Sequence, residues 1–268
     1  MGKLIKYEIK GNYKLFAGLF GITILLNLLL LTRANAWHEG AIIGIFSAIS
    51  VALFVVTLIF VVQSFRNEMY EDRGYLTFTL PISGKKIVIS KLVPAIIWFS
   101  IATIITYVFI SIFVKVLFDQ SMMDMINAVN NYINIKAAVL ISVLFSLINL
   151  ITLLLLIYFS ITVTRVAFKK KRLSVLLGFI TFIILNIVIY YIQYQIMKLF
   201  PQTVSISLDF LQNGSQINGS VMAINDKAML SVTGTDLNIN IATIIYFIAV
   251  YIGLFLGTGY LIDNNIDI

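Results

Sequence analysis

The chain has 268 residues, of which 60% are hydrophobic and 12% are charged, against roughly 25% charged residues in ordinary soluble domains. So few polar residues cannot cover a water-soluble globule, and the wealth of apolar residues excludes a disordered chain. With no cysteine and one histidine, the sequence excludes disulfides and thiolate sites, and it predicts no metal site.

Residues 1–14 predict a short amphipathic helix at the cytoplasmic membrane interface. Its lysines, at positions 3, 6, 10 and 14, recur on one side at helical spacing and would lie near anionic lipid headgroups. A plain positive flank that fixes topology is the alternative. The leader also resembles a signal peptide, but the apolar run after it is longer than the usual 7–15 residues, which favours an uncleaved anchor.

Six charge-free stretches are long enough to cross a membrane, which takes about 20 apolar residues. They predict an all-α integral membrane protein, with a six-span transmembrane domain over residues 15–268 and spans at 15–32, 40–65, 92–114, 137–164, 173–197 and 237–262. An even number of spans places both termini on one side. Fourteen of the 19 Lys and Arg residues lie on that side, so the positive-inside rule predicts cytoplasmic termini. Because these basic residues lie in short segments beside spans, nucleic acid is not an expected partner.

The link at residues 198–236 is the largest polar segment between spans. Residues 204–208 and 228–232 alternate apolar and polar side chains and are separated by Asn-Gly turn signals. This pattern predicts a small β-rich flap on the extracellular side.

The segment at residues 66–91 joins spans two and three on the cytoplasmic side. It begins with a dense group of mixed charges that can continue as a helix to Gly74, and Pro81 and a Ser-Gly turn follow. Taken by itself, such a segment is either a docking element for a soluble partner or a solvated loop.

This segment closely resembles the cytoplasmic coupling region of type-two ABC-exporter permeases from Gram-positive bacteria, of the peptide and antibiotic exporter kind. The resemblance rests on an acidic stretch, then Gly-Tyr-Leu-Thr-Phe-Thr-Leu-Pro at 74–81, a serine turn, basic residues, and Ser-Lys at 90–91. The acid–Gly–Tyr part is also similar to the loop of half-size sterol and drug exporters. Two departures are Gly84, where the family often has a basic or other polar residue, and the long flap, where it usually has short re-entrant helices.

The resemblance implies a non-catalytic subunit that binds no cofactor itself, while ATP and Mg bind two separate cytoplasmic ABC ATPase subunits. The sequence agrees, because Gly84-Lys85-Lys86 lacks the upstream glycine and final hydroxyl of a phosphate-binding loop. A second permease subunit, identical or homologous, completes the implied assembly, and the substrate is an amphipathic peptide or a lipophilic compound. The residues implied to contact the ATPase are Glu68, Tyr70, Glu71, Asp72, Arg73, Gly74, Tyr75, Leu76 and Pro81.

Two further groups of polar residues stand out. The basic link between spans four and five offers either a second ATPase contact or a positive-inside anchor, through Arg165, Lys169, Lys170 and Lys171. Neutral amides inside spans are costly in lipid and are candidates for lining a substrate cleft, namely Asn27, Gln63, Asn149 and Asn186.

Three other classes of protein compete with the exporter subunit. An ion-gradient-driven carrier or channel is disfavoured because no acidic residue lies near the middle of a predicted span. A membrane enzyme would depend on His38 and Glu39 alone. A membrane assembly subunit that transports nothing remains open.

Overall fold

The computed structural model describes residues 1–70, 82–130, 135–167, 171–207, 217–224, 227–234 and 236–265. These ranges form seven helices and four strands. The helices are α1 (Gly2–Leu31), α2 (Glu39–Tyr70), α3 (Gly84–Phe118), α4 (Met122–Asn130), α5 (Ile135–Ala167), α6 (Lys171–Leu199) and α7 (Ile241–Asn265). The strands are β1 (Thr203–Ser207), β2 (Ile217–Ile224), β3 (Lys227–Gly234) and β4 (Asp236–Asn240). The chain divides into unit 1, containing Met1–Met125, and unit 2, containing Ile126–Ile266.

Six of the described helices, all except α4, are long and apolar enough to cross a membrane. The prediction of an α-helical, multi-pass membrane protein is therefore confirmed at this level. Most of the helices extend beyond the predicted spans. The backbone of a helix can continue past the apolar stretch into polar flanks, because its hydrogen bonds lie within the segment.

The first helix differs from its predicted form. The sequence predicts an interfacial helix that ends at residue 14, whereas α1 continues without a break from Gly2 to Leu31. Glu8, Asn12, Phe16 and Phe20 repeat at intervals of four residues, so they share one face across the predicted boundary. Phe16 and Phe20 are buried and Glu8 and Asn12 are half-buried. One packed face along the helix explains why no break occurs.

An aromatic cluster joins the three long helices of unit 1. The ring of Phe16 on α1 stacks on Trp98 of α3 at a centroid distance of 4.3 Å and an interplanar angle of 9°. It also packs nearly perpendicular to the ring of Phe60 of α2, at a centroid distance of 5.8 Å. Such pairs contribute about 0.5–1.5 kcal/mol beyond burial. In lipid, where apolar burial gives little driving force, these packing contacts carry much of the association between the helices.

A second cluster lies where α1 ends and α2 begins. Leu30 and Ala34 pack with Ile42 and with Phe109 and Phe113 from the far end of α3. The short turn between α1 and α2 contains His38, whose Nδ1 accepts a hydrogen bond from the Gly40 N–H at 3.2 Å. Unit 1 is thus an antiparallel three-helix arrangement packed near both ends.

In unit 2, α7 packs closely on α5 through a glycine. A Cβ placed at Gly257 would lie 3.0 Å from Cε2 of Phe159. Buried hydroxyls on α5 donate hydrogen bonds to carbonyls of their own helix, as Thr162 does to Tyr158 at 2.8 Å. This arrangement satisfies polar groups in a segment that water does not reach.

The four strands form one antiparallel sheet in the order β1-β4-β3-β2. Thr203 pairs with Asn240 and Ser207 with Asp236 along β1 and β4, while β2 and β3 pair from Ile217–Gly234 to Ile224–Lys227. The sheet lies between α6 and α7 in the sequence; β1, β2 and β3 fall within the link predicted to be β-rich, and β4 starts at its last residue.

The sixth long helix begins at Ile241, later than the predicted span start at residue 237, because β4 takes residues 236–240 into the sheet. Asn240 forms the junction and is 3% exposed. Its Oδ1 accepts hydrogen bonds from the N–H and hydroxyl of Thr243, and its Nδ2 donates to the Phe200 carbonyl at 2.9 Å. Asn240 therefore caps α7 and ties it to the end of α6.

The short helix α4 follows Asp119, which adopts a left-handed conformation at φ 52°. Ser121 and Asp124 cap the helix reciprocally, since the Asp124 N–H donates to the Ser121 hydroxyl and that hydroxyl donates to the carboxylate at 2.6 Å. The hydroxyl and then the backbone N–H of Ser121 lower the pKa of Asp124 below its usual value. The Asp124 carboxylate is therefore ionised at neutral pH, where the cap is formed. The cap weakens only as the pH falls below the pKa of an ordinary aspartate.

Candidate functional site

A buried polar cluster lies at the end of unit 1 where α2 ends and α3 begins. We define the cluster as Glu8, Asn12, Ser64, Glu68 and Lys91. The Lys91 Nζ lies 2.5 Å from Glu8 Oε2 and also pairs with the Glu68 carboxylate. Only 6% of the Lys91 side chain is exposed, with 18% for Glu8 and 13% for Glu68. One ammonium group thus joins carboxylates from two other helices.

The neutral members of the cluster complete its hydrogen bonds. The Ser64 hydroxyl donates to Glu8 Oε1, and Asn12 Nδ2 donates to the same oxygen at 2.8 Å. Lys91 Nζ also lies 3.4 Å from the Ser64 hydroxyl. Buried charges are tolerated when they are paired and hydrogen-bonded in this way. The cluster ties α1, α2 and α3 together at one end.

The cluster stands at both flanks of the predicted coupling segment. Glu68 lies two residues before the end of α2, and Lys91 lies seven residues after the start of α3. Tyr70 is half-buried at the last position of α2. The other predicted contact residues lie outside the described residues, namely Glu71, Asp72, Arg73, Gly74, Tyr75, Leu76 and Pro81.

Glu68 is predicted as an ATPase contact, and in the structure its carboxylate pairs with Lys91 inside unit 1. In the sequence, Lys91 counts as one of the cytoplasmic basic residues beside a span, and Glu8 is not singled out. A signal was present: Glu8 is the only acidic residue among the first 14. It also shares its helix face with Asn12 and Phe16.

The second predicted contact lies between α5 and α6. Arg165 is half-buried near the end of α5, and Lys171 is the first residue of α6. Lys169 and Lys170 lie outside the described residues. The two choices for this link therefore stand as before.

The four predicted cleft amides fall in different places. Asn27 is 2% exposed in unit 1, where its Nδ2 donates to the Thr23 carbonyl at 2.9 Å. Gln63 is exposed on α2. Asn149 on α5 and Asn186 on α6 lie together in unit 2, where both line one cavity. The structure thus brings together two of the four.

The cavity, named here the α5–α6–α7 cavity, has a volume of about 520 Å³. Its polar lining comes from Asn149, Thr152, Asn186, Tyr190 and Tyr251, and the rest is aliphatic or aromatic. None of the lining residues carries a charged side chain. The cavity can therefore hold an apolar molecule and offer it a few hydrogen bonds.

Within the described ranges, no group of three or more His, Cys, Asp or Glu side chains is placed to hold a metal ion. Comparison of the chain with protein-family models, with curated proteins and with solved structures found no match.

Proposed function

We propose that the chain is the transmembrane permease subunit of an ABC exporter in a bacterial plasma membrane. It would move a lipophilic compound or an amphipathic peptide out of the cell. Two cytoplasmic ATPase subunits would hydrolyse ATP, and a second permease subunit would complete the translocation path. The sheet between α6 and α7 would lie outside the cell.

The polar cluster is the observation that carries this proposal. A loop that transmits force from a motor must be anchored firmly at both ends, since slack at either end would absorb the movement. Lys91 joins the α3 flank of residues 71–81 to Glu68 on the α2 flank. Glu8 ties the same ammonium group to α1. Any push on the segment between them would therefore move the ends of three helices together.

The burial of Glu68 refines where an ATPase would bind. Since its carboxylate already pairs with Lys91, Glu68 serves as a positioning residue at the base of the segment. The docking contact is then assigned to residues 70–76, with Glu71 and Asp72 supplying charge. ATP-driven closure of the motor would shift this segment and switch the cleft from inward to outward access.

We expect the double variant Glu71→Ala with Asp72→Ala to abolish most ATPase coupling. The tagged chain is purified from its native membranes, and a co-purifying ABC ATPase is reconstituted with it in proteoliposomes. Loss of two docking charges should lower transport-linked ATP hydrolysis by at least tenfold, since one charged hydrogen bond contributes about 1.5–3 kcal/mol.

The matched control removes two acids from the links predicted to face outside, as Glu39→Ala with Asp119→Asn. Asparagine is chosen because it tolerates the left-handed backbone at position 119. Unchanged coupling in Glu71→Ala/Asp72→Ala would refute the docking assignment. Transport by the chain alone, driven by an ion gradient, would refute the exporter proposal and favour a secondary carrier.

The proposed orientation has its own test in this cysteine-free chain. Gln202→Cys and Lys86→Cys introduce thiols at two exposed positions, one before the sheet and one at the start of α3. We expect an impermeant maleimide to label Gln202→Cys in intact cells and Lys86→Cys only after lysis, because the basic segments lie in the cytoplasm. The reverse pattern would invert the topology.

A further inference from the structure

The α5–α6–α7 cavity contains polar groups near the middle of its helices, where polar groups are costly in lipid. Asn149 and Asn186 lie near the midpoints of α5 and α6, and Tyr251 lies near the middle of α7. If these helices cross a bilayer, the cavity is at the level of the hydrocarbon core. Polar residues at that level usually face a cavity or a pathway and mark a functional site.

The hydrogen bonds within the helices determine what the cavity offers to a ligand. Asn149 Nδ2 donates to the Phe145 carbonyl at 2.8 Å, and Asn186 Nδ2 donates to the Phe182 carbonyl at 2.9 Å. The Thr152 hydroxyl donates its proton to the Ile148 carbonyl at 2.8 Å. One N–H of each amide and the Thr152 hydroxyl hydrogen are thus committed to the helix backbone, while the side-chain oxygens retain lone pairs. The hydroxyls of Tyr190 and Tyr251 also line the cavity and can donate or accept, so the cavity offers a ligand both hydrogen-bond acceptors and donors.

The absence of charge on the lining residues limits the ligand further. An ionised group needs a counter-charge or dense hydrogen bonding when it leaves water. Three aromatic rings, Phe145, Phe182 and Phe247, provide flat apolar surface instead. The part of a ligand that enters the cavity is therefore neutral, with an apolar body and a hydroxyl or amide donor.

The volume of the cavity bears on which of the two proposed substrates, a lipophilic compound or an amphipathic peptide, binds there. A cavity of about 520 Å³ lies within the range of roughly 300–1,000 Å³ that is typical for small-molecule sites. A twelve-residue helical peptide, about 18 Å long and 10 Å wide, occupies about 1,400 Å³. The cavity therefore matches the size of one small lipophilic molecule, or of part of a lipid, better than that of a folded amphipathic peptide, most of which would lie outside it.

We propose that the α5–α6–α7 cavity binds a single neutral lipophilic molecule that carries a hydrogen-bond donor. That this molecule is the exported substrate rests on the proposed function, whereas the binding itself does not. The same chemistry occurs in a membrane diacylglycerol and in a free long-chain alcohol. The test below distinguishes these two sources.

The probe is a long-chain alcohol that carries a photoreactive diazirine, added to the purified chain in phosphatidylcholine nanodiscs. We expect saturable labelling of peptides within residues 145–156, 182–190 and 247–252. The unlabelled alcohol should compete, and its methyl ether should compete roughly three- to tenfold less well, because the ether lacks the donor for one hydrogen bond. In Asn149→Leu with Asn186→Leu, this difference should disappear.

A matched pair on one helix tests the location. Ile248 lines the cavity and Ile245 does not, and both are exposed apolar residues of α7. Ile248→Trp should reduce saturable labelling severalfold, while Ile245→Trp should leave it unchanged. If diacylglycerol co-purifies with the chain and blocks labelling until it is removed, the natural occupant is a membrane lipid, which supports the site. Saturable labelling of a chain from which no lipid co-purifies identifies the free alcohol class.

Unsaturable labelling spread over all exposed helix faces would overturn the proposal, as would equal competition by the alcohol and its ether. Neither measurement requires an ATPase. Saturable binding in a chain that never associates with an ATPase would refute the proposed function and leave the cavity site intact. Coupled ATPase activity without saturable binding would do the opposite.

Discussion

Replacing Lys91 with methionine is expected to destabilise unit 1 by about 3 kcal/mol, at the low end of the roughly 3–5 kcal/mol typical of a broken buried ion pair. The substitution leaves Glu8 and Glu68 facing each other without a cation. The low end applies because both carboxylates retain some exposure, 18% and 13%. Thermal unfolding in nanodiscs measures this loss of stability. The probe is the fluorescence of Trp98, which stacks on Phe16 inside unit 1, in a Trp37→Phe background that leaves Trp98 as the single tryptophan.

The same helix offers a matched control for Lys91. Lys85 and Lys86 are exposed in the first turn of α3, so Lys85→Met removes a charge without breaking a buried contact. Its effect should stay within about 0.5 kcal/mol, as for ordinary surface substitutions. A similar loss of stability in Lys85→Met and Lys91→Met would contradict the buried role of Lys91.

A triple variant separates the charge from the packing. Glu8→Gln, Glu68→Gln and Lys91→Met together remove all three charges and should recover much of the lost stability, since replacing a whole buried ion group is often neutral. If the cluster only stabilises the fold, this variant should also couple to an ATPase normally. If it positions the coupling segment, stability should return while ATP-linked transport remains reduced.

The spans could be predicted because nothing else in the chain competes with runs of 18 or more apolar residues. The faces of those helices could not. A helix in lipid is apolar on all sides, so its hydropathy does not mark the packed face as it does in a soluble protein. Phe16, Phe60 and Trp98 are ordinary apolar letters in the sequence, and only the structure brings them together.

The polar residues predicted positions in the fold better than the apolar residues did, although not at every site. Asn149 and Asn186 were selected because amides are costly in lipid, and the two do line one cavity. The same reasoning selected Gln63, which is exposed on α2 near the polar end of that helix. Lys91 was missed because a lysine beside a span usually remains in the headgroup region. Its burial depends on Glu8, which lies far away in the sequence.

The start of α7 shows how a local pattern can be outweighed. Because Leu237 and Ile239 are apolar, the predicted span starts at residue 237. These two residues alternate with Asn238 and Asn240, as in a strand. Pairing with β1 and β3 then favours the sheet, and the Asn240 side chain caps the helix that follows. The alternation was visible in the sequence, but the long apolar run after it dominated the interpretation.

Substituting leucine for Gly257 is expected to cost unit 2 about 1–3 kcal/mol, the usual range for overpacking a close contact. Even a Cβ at this position would lie 3.0 Å from Phe159 Cε2, so a larger side chain must push α7 away from α5. Chemical unfolding of the purified variant, followed by circular dichroism, measures the loss.

Gly253, one turn earlier on α7, provides the comparison, because a Cβ there meets no atom within 4 Å in the described part of the chain. Both substitutions replace a helical glycine with leucine, so both gain the same helix propensity of up to about 1 kcal/mol, and the difference between them isolates the contact with Phe159. Gly253→Leu should therefore be neutral or slightly stabilising while Gly257→Leu is not. Equal stabilities would show that α5 and α7 do not depend on this close approach, and would remove Gly257 as the reason that the two helices pack.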